Sequence, residues 1–399
     1  MLVIKGAKIY PAVGNLIQDG MMIIDDQGKI KDIGKDLKVD KDDQVLDFTG
    51  KVIIPGLIDC HSHVGMWGDG EGRTAYDGNE SVRPITGEVR AIDGVNPRQI
   101  SFEGARQGGI TSVQIVPGSG NPIGGLAFAC KTHGDIIDDM VIKNPTGLKG
   151  ATGENPKGAH GRAQGHSPAT RMAVASMIRQ YFNEAKEYGA KKNKAKEENK
   201  AFESDLNLES GLMVLNKEIP FRVHAHRHDD IITVIRICQE LDIDYTIEHC
   251  TDGYLIAEYL GKNKVTAMVG PGLSAATKVE NARISDENPA ILAKNGVKVC
   301  LMTDHPFLNC RYFLQYGAIS HKHGLPFDET LKAMTINPAE ALGIEDRVGS
   351  LEVGKDGDFV VLNGEPFSYK GSVEKTFIEG KLVWERPIIN SGRRDYEKK

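Results

Sequence analysis

Eight short apolar runs in the middle of the chain restrict its fold more than any other feature of the sequence. They have the length and composition of buried strands, and they alternate with helical stretches. This alternation is typical of βα units around a parallel sheet, and eight such units predict an α/β fold, a distorted (β/α)8 TIM barrel. The runs are IIPGLIDCH (53–61), ITSVQIV (110–116), GLAFACKT (125–132), TGLKGAT (146–152), PFRVHAH (220–226), DYTIEH (244–249), KVTAMVG (264–270) and VKVCLMTD (297–304).

The two ends of the chain have a different pattern, in which short strands alternate with turns. The N-terminal part contains LVIKGAKIY, MMIIDDQGKI and QVLDFTGK, and the C-terminal part contains DGDFVVLNG, KTFIEGK and LVWERP. Two small β pieces on either side of a barrel imply that the ends meet in space. We therefore predict a composite β-sandwich domain from residues 1–52 and 353–399, and a barrel from residues 53–352.

Composition and charge limit the class of protein. Of the 399 residues, 40% are hydrophobic and 26% are charged, and the net charge of −6 gives no electrostatic basis for binding nucleic acid. No run of roughly 18 apolar residues suggests a membrane span, and MLVIKGAKIY lacks the features of a signal peptide. The cysteines show no CxxC spacing, which favours buried thiols and predicts a cytoplasmic protein. They are Cys60, Cys130, Cys238, Cys250, Cys300 and Cys310.

Histidines and carboxylates gather at the ends of the predicted strands. One His-x-His pair, His321 and His323, is an exception: it follows a mixed stretch, where a solvated helix end is the better interpretation. Because the working residues of such a barrel lie at the C-terminal ends of its strands, the other side chains should converge on one rim. They are His61, His63, Lys149, Glu154, His224, His226, His249 and Asp304. Nitrogen and carboxylate ligands together predict an open catalytic site for a divalent metal such as zinc, manganese, iron or cobalt.

The same residues carry a resemblance to a known family. PGLIDCHSH, the histidines that end the fifth and sixth strands, LMTD at the eighth strand and the tail NPAEALGIEDRVGSLEVGKDGDFVVL follow the order of the amidohydrolase superfamily. The segments IDGVNP, PGSGNPIGG, GENPK and SPATRM extend the resemblance to its imidazolonepropionase-related branch. The resemblance covers essentially the whole chain.

The resemblance implies a metal-dependent hydrolase that holds one or two divalent ions, zinc above all. Its ligands would be His61, His63, His224 and His249. Asp304 would bind the metal or its water and pass a proton to the leaving amine. The substrate would be a small molecule.

The fourth strand offers two candidates for a further ligand. Lys149 lies mid-strand, as the carboxylated lysines of two-metal superfamily members do, and Glu154 lies five residues later. An unmodified lysine buried beside cations would be repelled, which favours Glu154 as the direct ligand. Carboxylation of Lys149 would reverse that preference, and either acid could bridge two ions.

One position departs from the family pattern. Superfamily deaminases and imidazolonepropionase itself tend to carry an acid three residues after the strand-five histidine, and here that position is Arg227. We therefore predict cleavage of an amide C–N bond in a small cyclic amide or a peptide-like, dipeptidase-type substrate. The alternatives are an aminohydrolase that deaminates a heterocycle and a catalytically silent scaffold of the same fold.

Loops at the predicted rim suggest how substrate is held. The long segment 65–97, with Trp67, Arg73, Tyr76 and Arg83, has the length of a lid, and PGSGNPIGG should line the site. Candidate contacts to substrate are His226, Lys157, Arg162 and Arg171, together with His160, since cationic side chains suit a carboxylate. Symmetry statistics favour a homodimer or a higher homo-oligomer.

Overall fold

The computed structural model describes residues 1–67, 72 and 76–387 of the protein. Its strands are β1 (Leu2–Ile9), β2 (Ile17–Ile24), β3 (Ile30–Gly34), β4 (Gln44–Asp47), β5 (Val52–Pro55), β6 (Leu57–Ser62), β7 (Ile110–Ile115), β8 (Ile123–Lys131), β9 (Val141–Ala151), β10 (Phe221–Ala225), β11 (Tyr245–His249), β12 (Thr266–Val269), β13 (Lys298–Leu301), β14 (Phe359–Asn363), β15 (Ser372–Ile378) and β16 (Lys381–Glu385).

The helices connect and cover these strands. They are α1 (Ile100–Gln107), α2 (Ile137–Met140), α3 (Glu154–Pro156), α4 (Arg171–Glu197), α5 (Leu206–Leu215), α6 (His228–Leu241), α7 (Ala257–Lys262), α8 (Asn288–Lys294), α9 (Phe313–Lys322), α10 (Phe327–Ala333) and α11 (Ile336–Leu342). Further helical turns of other types span Ala91–Gly94, Lys157–Arg162, Gly253–Ile256, Val279–Asn281 and Cys310–Tyr312. None of the helices in the described ranges combines the length and the apolar character that crossing a membrane requires.

The barrel is one eight-stranded sheet that runs from β6 to β13 in chain order. All six residues of β6, LIDCHS, are buried, as expected for a strand that is covered on both faces. The first and last strands meet at the rim, where the backbone N–H of Asp304 donates to the carbonyl of His61 at 3.0 Å. The distorted α/β barrel that the eight apolar runs predict is confirmed.

The direction of β8 corrects one part of that prediction. The sequence pattern predicts a parallel sheet, but β8 runs antiparallel to both β7 and β9. The connection 116–122 is shorter than the roughly twelve residues that a parallel crossover needs, so the chain turns back as a hairpin. The C-terminal end of β8 therefore lies at the rim opposite the histidines.

The terminal strands form a second eight-stranded sheet, with the order β16-β15-β14-β5-β1-β2-β3 and with β4 paired to β1. Strand β5 belongs to this sheet, because it pairs with β14 and with β1. The single strand expected over 53–61 is thus two strands that part at Gly56. Strand β5 therefore lies in the terminal sheet, and the first barrel strand, β6, starts at Leu57.

A buried ion cluster joins the barrel to the terminal sheet. The Nζ atom of Lys131, at the end of β8, lies 2.8 Å from a carboxylate oxygen of Asp356 and 2.7 Å from one of Asp358. These residues are nearly inaccessible to solvent. Removal of one partner from a buried ion pair leaves the other charges without compensation.

We expect Lys131→Met to lower the free energy of unfolding by about 3–5 kcal/mol, because the buried carboxylate of Asp358 would lose its cation, whereas Asp356 keeps Lys29 and Arg347. Urea unfolding followed by circular dichroism measures the change. Lys298→Met is the matched control, since Lys298 pairs with Glu340 at the surface and such pairs contribute about 0–1 kcal/mol. Equal losses in the two variants would contradict a special role for the cluster.

Candidate metal centre

The histidines that end β6 have one ring nitrogen fixed and the other directed into the barrel mouth. The Nδ1 atom of His61 lies 2.7 Å from the carboxylate of Glu248, and Nδ1 of His63 lies 2.8 Å from the carbonyl oxygen of Val116. Their Nε2 atoms face the carboxylate of Asp304 at 3.5 Å and 3.1 Å. A partner that holds Nδ1 and leaves Nε2 free is the arrangement that orients histidines around metals.

His226 and His249 show the same arrangement at the ends of β10 and β11. The Nδ1 atom of His226 lies 2.7 Å from the Thr251 hydroxyl, and Nδ1 of His249 lies 3.0 Å from the Gly270 carbonyl oxygen. Strand alternation would place Glu248 and His249 on opposite faces of β11. His249 instead adopts a left-handed backbone with φ of 73°, which turns its ring into the site beside Glu248.

The side chains form two overlapping groups in which the ligand-type atoms of all members lie within 4.8 Å of one another. One group consists of His61, His249 and Asp304, and the other of His224, His226 and His249. Within the described chain, the buried Nε2 atom of His226 has no hydrogen-bond partner. Imidazole nitrogens and a carboxylate in this arrangement fit one or two divalent ions.

Burial and neighbouring charges together set the charge state of this cluster. Burial alone would lower the pKa of His61, but its hydrogen bonds with Asp304 and Glu248 outweigh burial and raise that pKa. Burial lowers the pKa of His63, and it lowers the pKa of His224, His226 and His249 well below the usual value, so these rings are neutral at neutral pH, the form in which imidazole can bind a metal. Burial alone would raise the pKa of the Asp304 carboxyl. The neighbouring His249, His61 and His63 outweigh that effect and hold the pKa of Asp304 well below its usual range.

The two candidates from the fourth strand have different positions. The Nζ atom of Lys149 is buried inside the barrel without a hydrogen-bond partner in the described part of the chain. Burial lowers the pKa of Lys149 to about 8, against the opposing charges of Glu248 and Asp304. Glu154 lies beyond the strand in α3, half-buried at the wall of the cavity, and belongs to neither group of ligand-type side chains.

Glu248 and Arg222 lie beneath the histidines, and the sequence pattern did not single them out. Both are fully buried, with Arg222 Nη1 3.9 Å from Glu248 Oε1. The Arg222 guanidinium also donates to the carbonyl oxygens of Thr146 and Ala341 at 2.9 Å and 2.7 Å. Burial alone would raise the pKa of Glu248, but the hydrogen bond and charge of His61, the charge of Arg222 and the Thr246 hydroxyl together outweigh burial and lower the pKa to about 2. The available signal was the acidic residue directly before His249 in TIEH.

A cavity of about 680 Å³ opens above the histidines. Trp67 and Phe307 form an aromatic wall, with the Trp67 ring 4.4 Å from the ring of His63 and 5.6 Å from that of Phe307. Lys278, Asn155 and Ser119 form a polar cluster in the same lining, because the Asn155 side chain hydrogen-bonds to both of the others. The cavity therefore carries an aromatic cluster and a polar cluster above the same group of imidazoles.

The predicted substrate handles are not all at this cavity. Arg162 lines it, whereas Lys157 and Arg171 do not. The Arg171 Nε atom lies 3.0 Å from the Asp230 carboxylate and faces a separate cavity beside α6. His160 is buried against Asn121, with 2.8 Å between Nε2 and the amide oxygen, and so fixes the PGSGN loop.

The lid-like segment is only partly described. Trp67 and Tyr76 pair through an isolated β-bridge, and the intervening Arg73 lies outside the described residues. Arg83 forms an ion pair with Glu88 instead of facing the cavity. From the predicted loop PGSGNPIGG, Ser119 and Gly120 line the site.

Comparison with known proteins agrees with this geometry. The family model described as amidohydrolase family matches residues 154–383, more than half of the chain. The chain belongs to the amidohydrolase family. It is accordingly a hydrolase that acts on carbon–nitrogen bonds other than peptide bonds, in a family that depends on metals.

Similar proteins support the same family. A solved amidohydrolase from Thermotoga maritima MSB8 is 42% identical, with a TM-score of 0.93 over 97% of this chain and 100% of that one. An imidazolonepropionase from Rhizobium rhizogenes is 23% identical over 90% of both chains. The amidohydrolase tasK of Hapsidospora irregularis is 25% identical over 89% of this chain, which spans only 38% of that protein's length. A prolidase complexed with N-methylphosphonate-L-proline is 17% identical with a TM-score of 0.61, and shares the fold.

Proposed function

We propose that the protein hydrolyses an amide C–N bond in a small cyclic amide or a peptide-like substrate, and that it requires a divalent metal, preferably zinc. The observation that carries this proposal is the convergence of ligand-type side chains from β6, β10, β11 and the end of β13 at the floor of one cavity. Such an arrangement matches the open metal sites of hydrolases, which keep a position for water and substrate.

The ligands of one ion would be His61, His63 and Asp304, and a second ion would face His224, His226 and His249. Lys149 would bridge them once carboxylated, since its lowered pKa leaves more of the neutral amine that reacts with carbon dioxide. A bound metal would lower the pKa of water from about 15.7 to about 7 and would polarise the scissile carbonyl.

The side chains of the protein would supply the proton transfer and the exclusion of solvent. Asp304 would be the base, because it lines the cavity and its low pKa keeps the carboxylate ionised until it accepts the proton of water. It then returns this proton to the departing nitrogen. Trp67 and Phe307 cover one side of the cavity against water, and Arg162 offers a guanidinium to a substrate carboxylate.

The position of Arg227 argues against deamination of a heterocycle. Its guanidinium donates to Asp229 at 2.9 Å and 2.7 Å at the start of α6, and it does not line the cavity. The acid that a ring-protonating deaminase needs is therefore absent from this position, as the sequence indicates. This placement favours the amidase proposal over the aminohydrolase alternative.

Removal and return of metal tests the proposal. We expect a chelator to abolish hydrolysis of N-acyl amino acids, dipeptides or small cyclic amides, and stoichiometric zinc to restore it. Each substrate is assayed for the new amine or carboxylate, and aminated heterocycles are assayed for ammonia. Ammonia release from heterocycles alone would support the deaminase instead. A metal-loaded protein that cleaves none of these substrates would support the silent scaffold.

A further inference from the structure

The turn Val279–Asn281, in the loop after β12, buries a carboxylate and exposes an apolar side chain. Glu280 is 2% exposed, while its neighbour Val279 is 77% exposed. The reverse orientation would be the favourable one, because a buried charge loses its hydration and an exposed valine gains nothing from water. The orientation of this turn therefore depends on partners that compensate the buried charge.

The buried carboxylate faces two histidines of the metal centre. Glu280 Oε1 lies 3.7 Å from Nε2 of His224 and 3.9 Å from Nε2 of His226. Two ligands that bind one ion at about 2.1 Å can lie up to about 4.2 Å apart, so these separations allow a shared cation. A carboxylate oxygen beside two imidazole nitrogens is also a donor set that divalent transition metals accept.

The loop after β9 is shaped around this carboxylate. The backbone N–H of Glu154 donates to Glu280 Oε2 at 2.8 Å, and the backbone N–H of Glu280 donates in return to the Glu154 carboxylate at 3.5 Å. Gly153 has a φ of 78°, and a Cβ atom there would lie 2.4 Å from Glu280 Oε2. The Gly-Glu-Asn sequence thus supplies both a donor and the space for the acid.

Lys278 is the nearest opposite charge. Its Nζ atom lies 3.0 Å from Glu280 Oε1 and donates to the Asn155 side-chain oxygen at 2.8 Å. The ammonium therefore has a second anchor that does not depend on Glu280. A carboxylate has several lone pairs, so an ion pair with Lys278 leaves Glu280 able to bind a cation as well.

We propose that Glu280 is a ligand of the cation that His224 and His226 face, with Lys278 as an ion-pair partner that binding of the cation does not require. This inference rests on the proposed metal-dependent function. It adds to the site a carboxylate from the loop after β12, whereas the other proposed ligands lie at or near the ends of barrel strands.

The test measures the affinity for cobalt(II) by competition with a chromophoric chelator in wild type, Glu280→Gln and Lys278→Gln. Loss of a direct ligand should weaken binding of one ion by at least about 100-fold, beyond the effect of most outer-shell partners. Lys278→Gln retains the carboxylate and should change the affinity by no more than about fivefold. The visible spectrum of bound cobalt should change in Glu280→Gln, because the coordination of the ion changes.

Two outcomes distinguish a failure of this inference from a failure of the proposed function. Wild type that binds no metal would overturn the function itself. Wild type that binds metal while Glu280→Gln binds it equally well, with the same spectrum, would overturn only the role of Glu280. Circular dichroism checks folding, and Glu280→Asp replaces Glu280→Gln if the glutamine variant does not fold. The shorter side chain should still lose about tenfold in affinity, and an unchanged affinity would again overturn the inference.

Discussion

Replacement of Asp304 by asparagine should reduce kcat/KM by about 10²–10⁴, the usual contribution of a positioned proton-transfer group. The amide has nearly the size of the carboxylate and can keep an oxygen near His61 and His63, but it cannot accept a proton. Since the pKa of Asp304 lies well below its usual range, the wild-type carboxylate is ionised throughout the neutral range. The loss should therefore persist between about pH 6 and pH 9 and not recover as the pH rises.

Steady-state kinetics across this range, with metal content determined on the same samples, measures the effect of Asp304→Asn. The metal content separates a lost base from a lost ligand, because Asp304 belongs to the group with His61 and His249. A variant that keeps its metal and more than about one-tenth of the wild-type kcat/KM would exclude Asp304 as the proton acceptor.

Much of the site could be predicted because strand ends are visible in a sequence. Apolar runs mark the strands, and in a barrel their C-terminal ends meet at one rim. His61, His63, His224, His249 and Asp304 are therefore brought together by a rule that needs no knowledge of loop conformation. The structure places all of them at the same cavity or directly beneath it.

Glu248 and Glu280 were missed for different physical reasons. Glu248 precedes a histidine in a strand, so alternation assigns the two residues to opposite faces, and only the left-handed backbone of His249 brings both to the site. Glu280 lies in a single helical turn too short to show periodicity, next to an exposed valine. Its inward direction depends on contacts with Gly153 and Glu154, more than a hundred residues away in sequence.

The fold shows a similar limit. An apolar run indicates a buried strand but not its direction, and the βα pattern of the rest of the barrel predicted a parallel β8. The short connection 116–122 did hold the information, since a parallel crossover cannot be that short. The cytoplasmic location, the oligomeric state and the identity of the metal stay predictions, because they depend on surroundings and partners that lie outside the chain.

Replacement of Lys149 by alanine should remove at least one metal ion and lower kcat/KM by more than about 100-fold, the loss that outer-shell partners of a metal can already cause. The side chain is almost fully buried below the histidines, and its amine has no hydrogen-bond partner in the described part of the chain. Two cations would repel an ammonium at this position, whereas a carboxylated lysine would bring a negative charge between them.

Elemental analysis of wild type, Lys149→Ala and Glu154→Gln, purified with bicarbonate, distinguishes the two bridging candidates. Lys149 as the bridge predicts two ions in wild type and in Glu154→Gln, and fewer in Lys149→Ala. Propionate should partly restore metal and activity to Lys149→Ala, because a small carboxylate can fill the space that the truncated side chain leaves. Two ions retained in Lys149→Ala but lost in Glu154→Gln would assign the bridge to Glu154. One ion in all three proteins would remove both bridges, and the single ion would then rest on the histidines and Asp304.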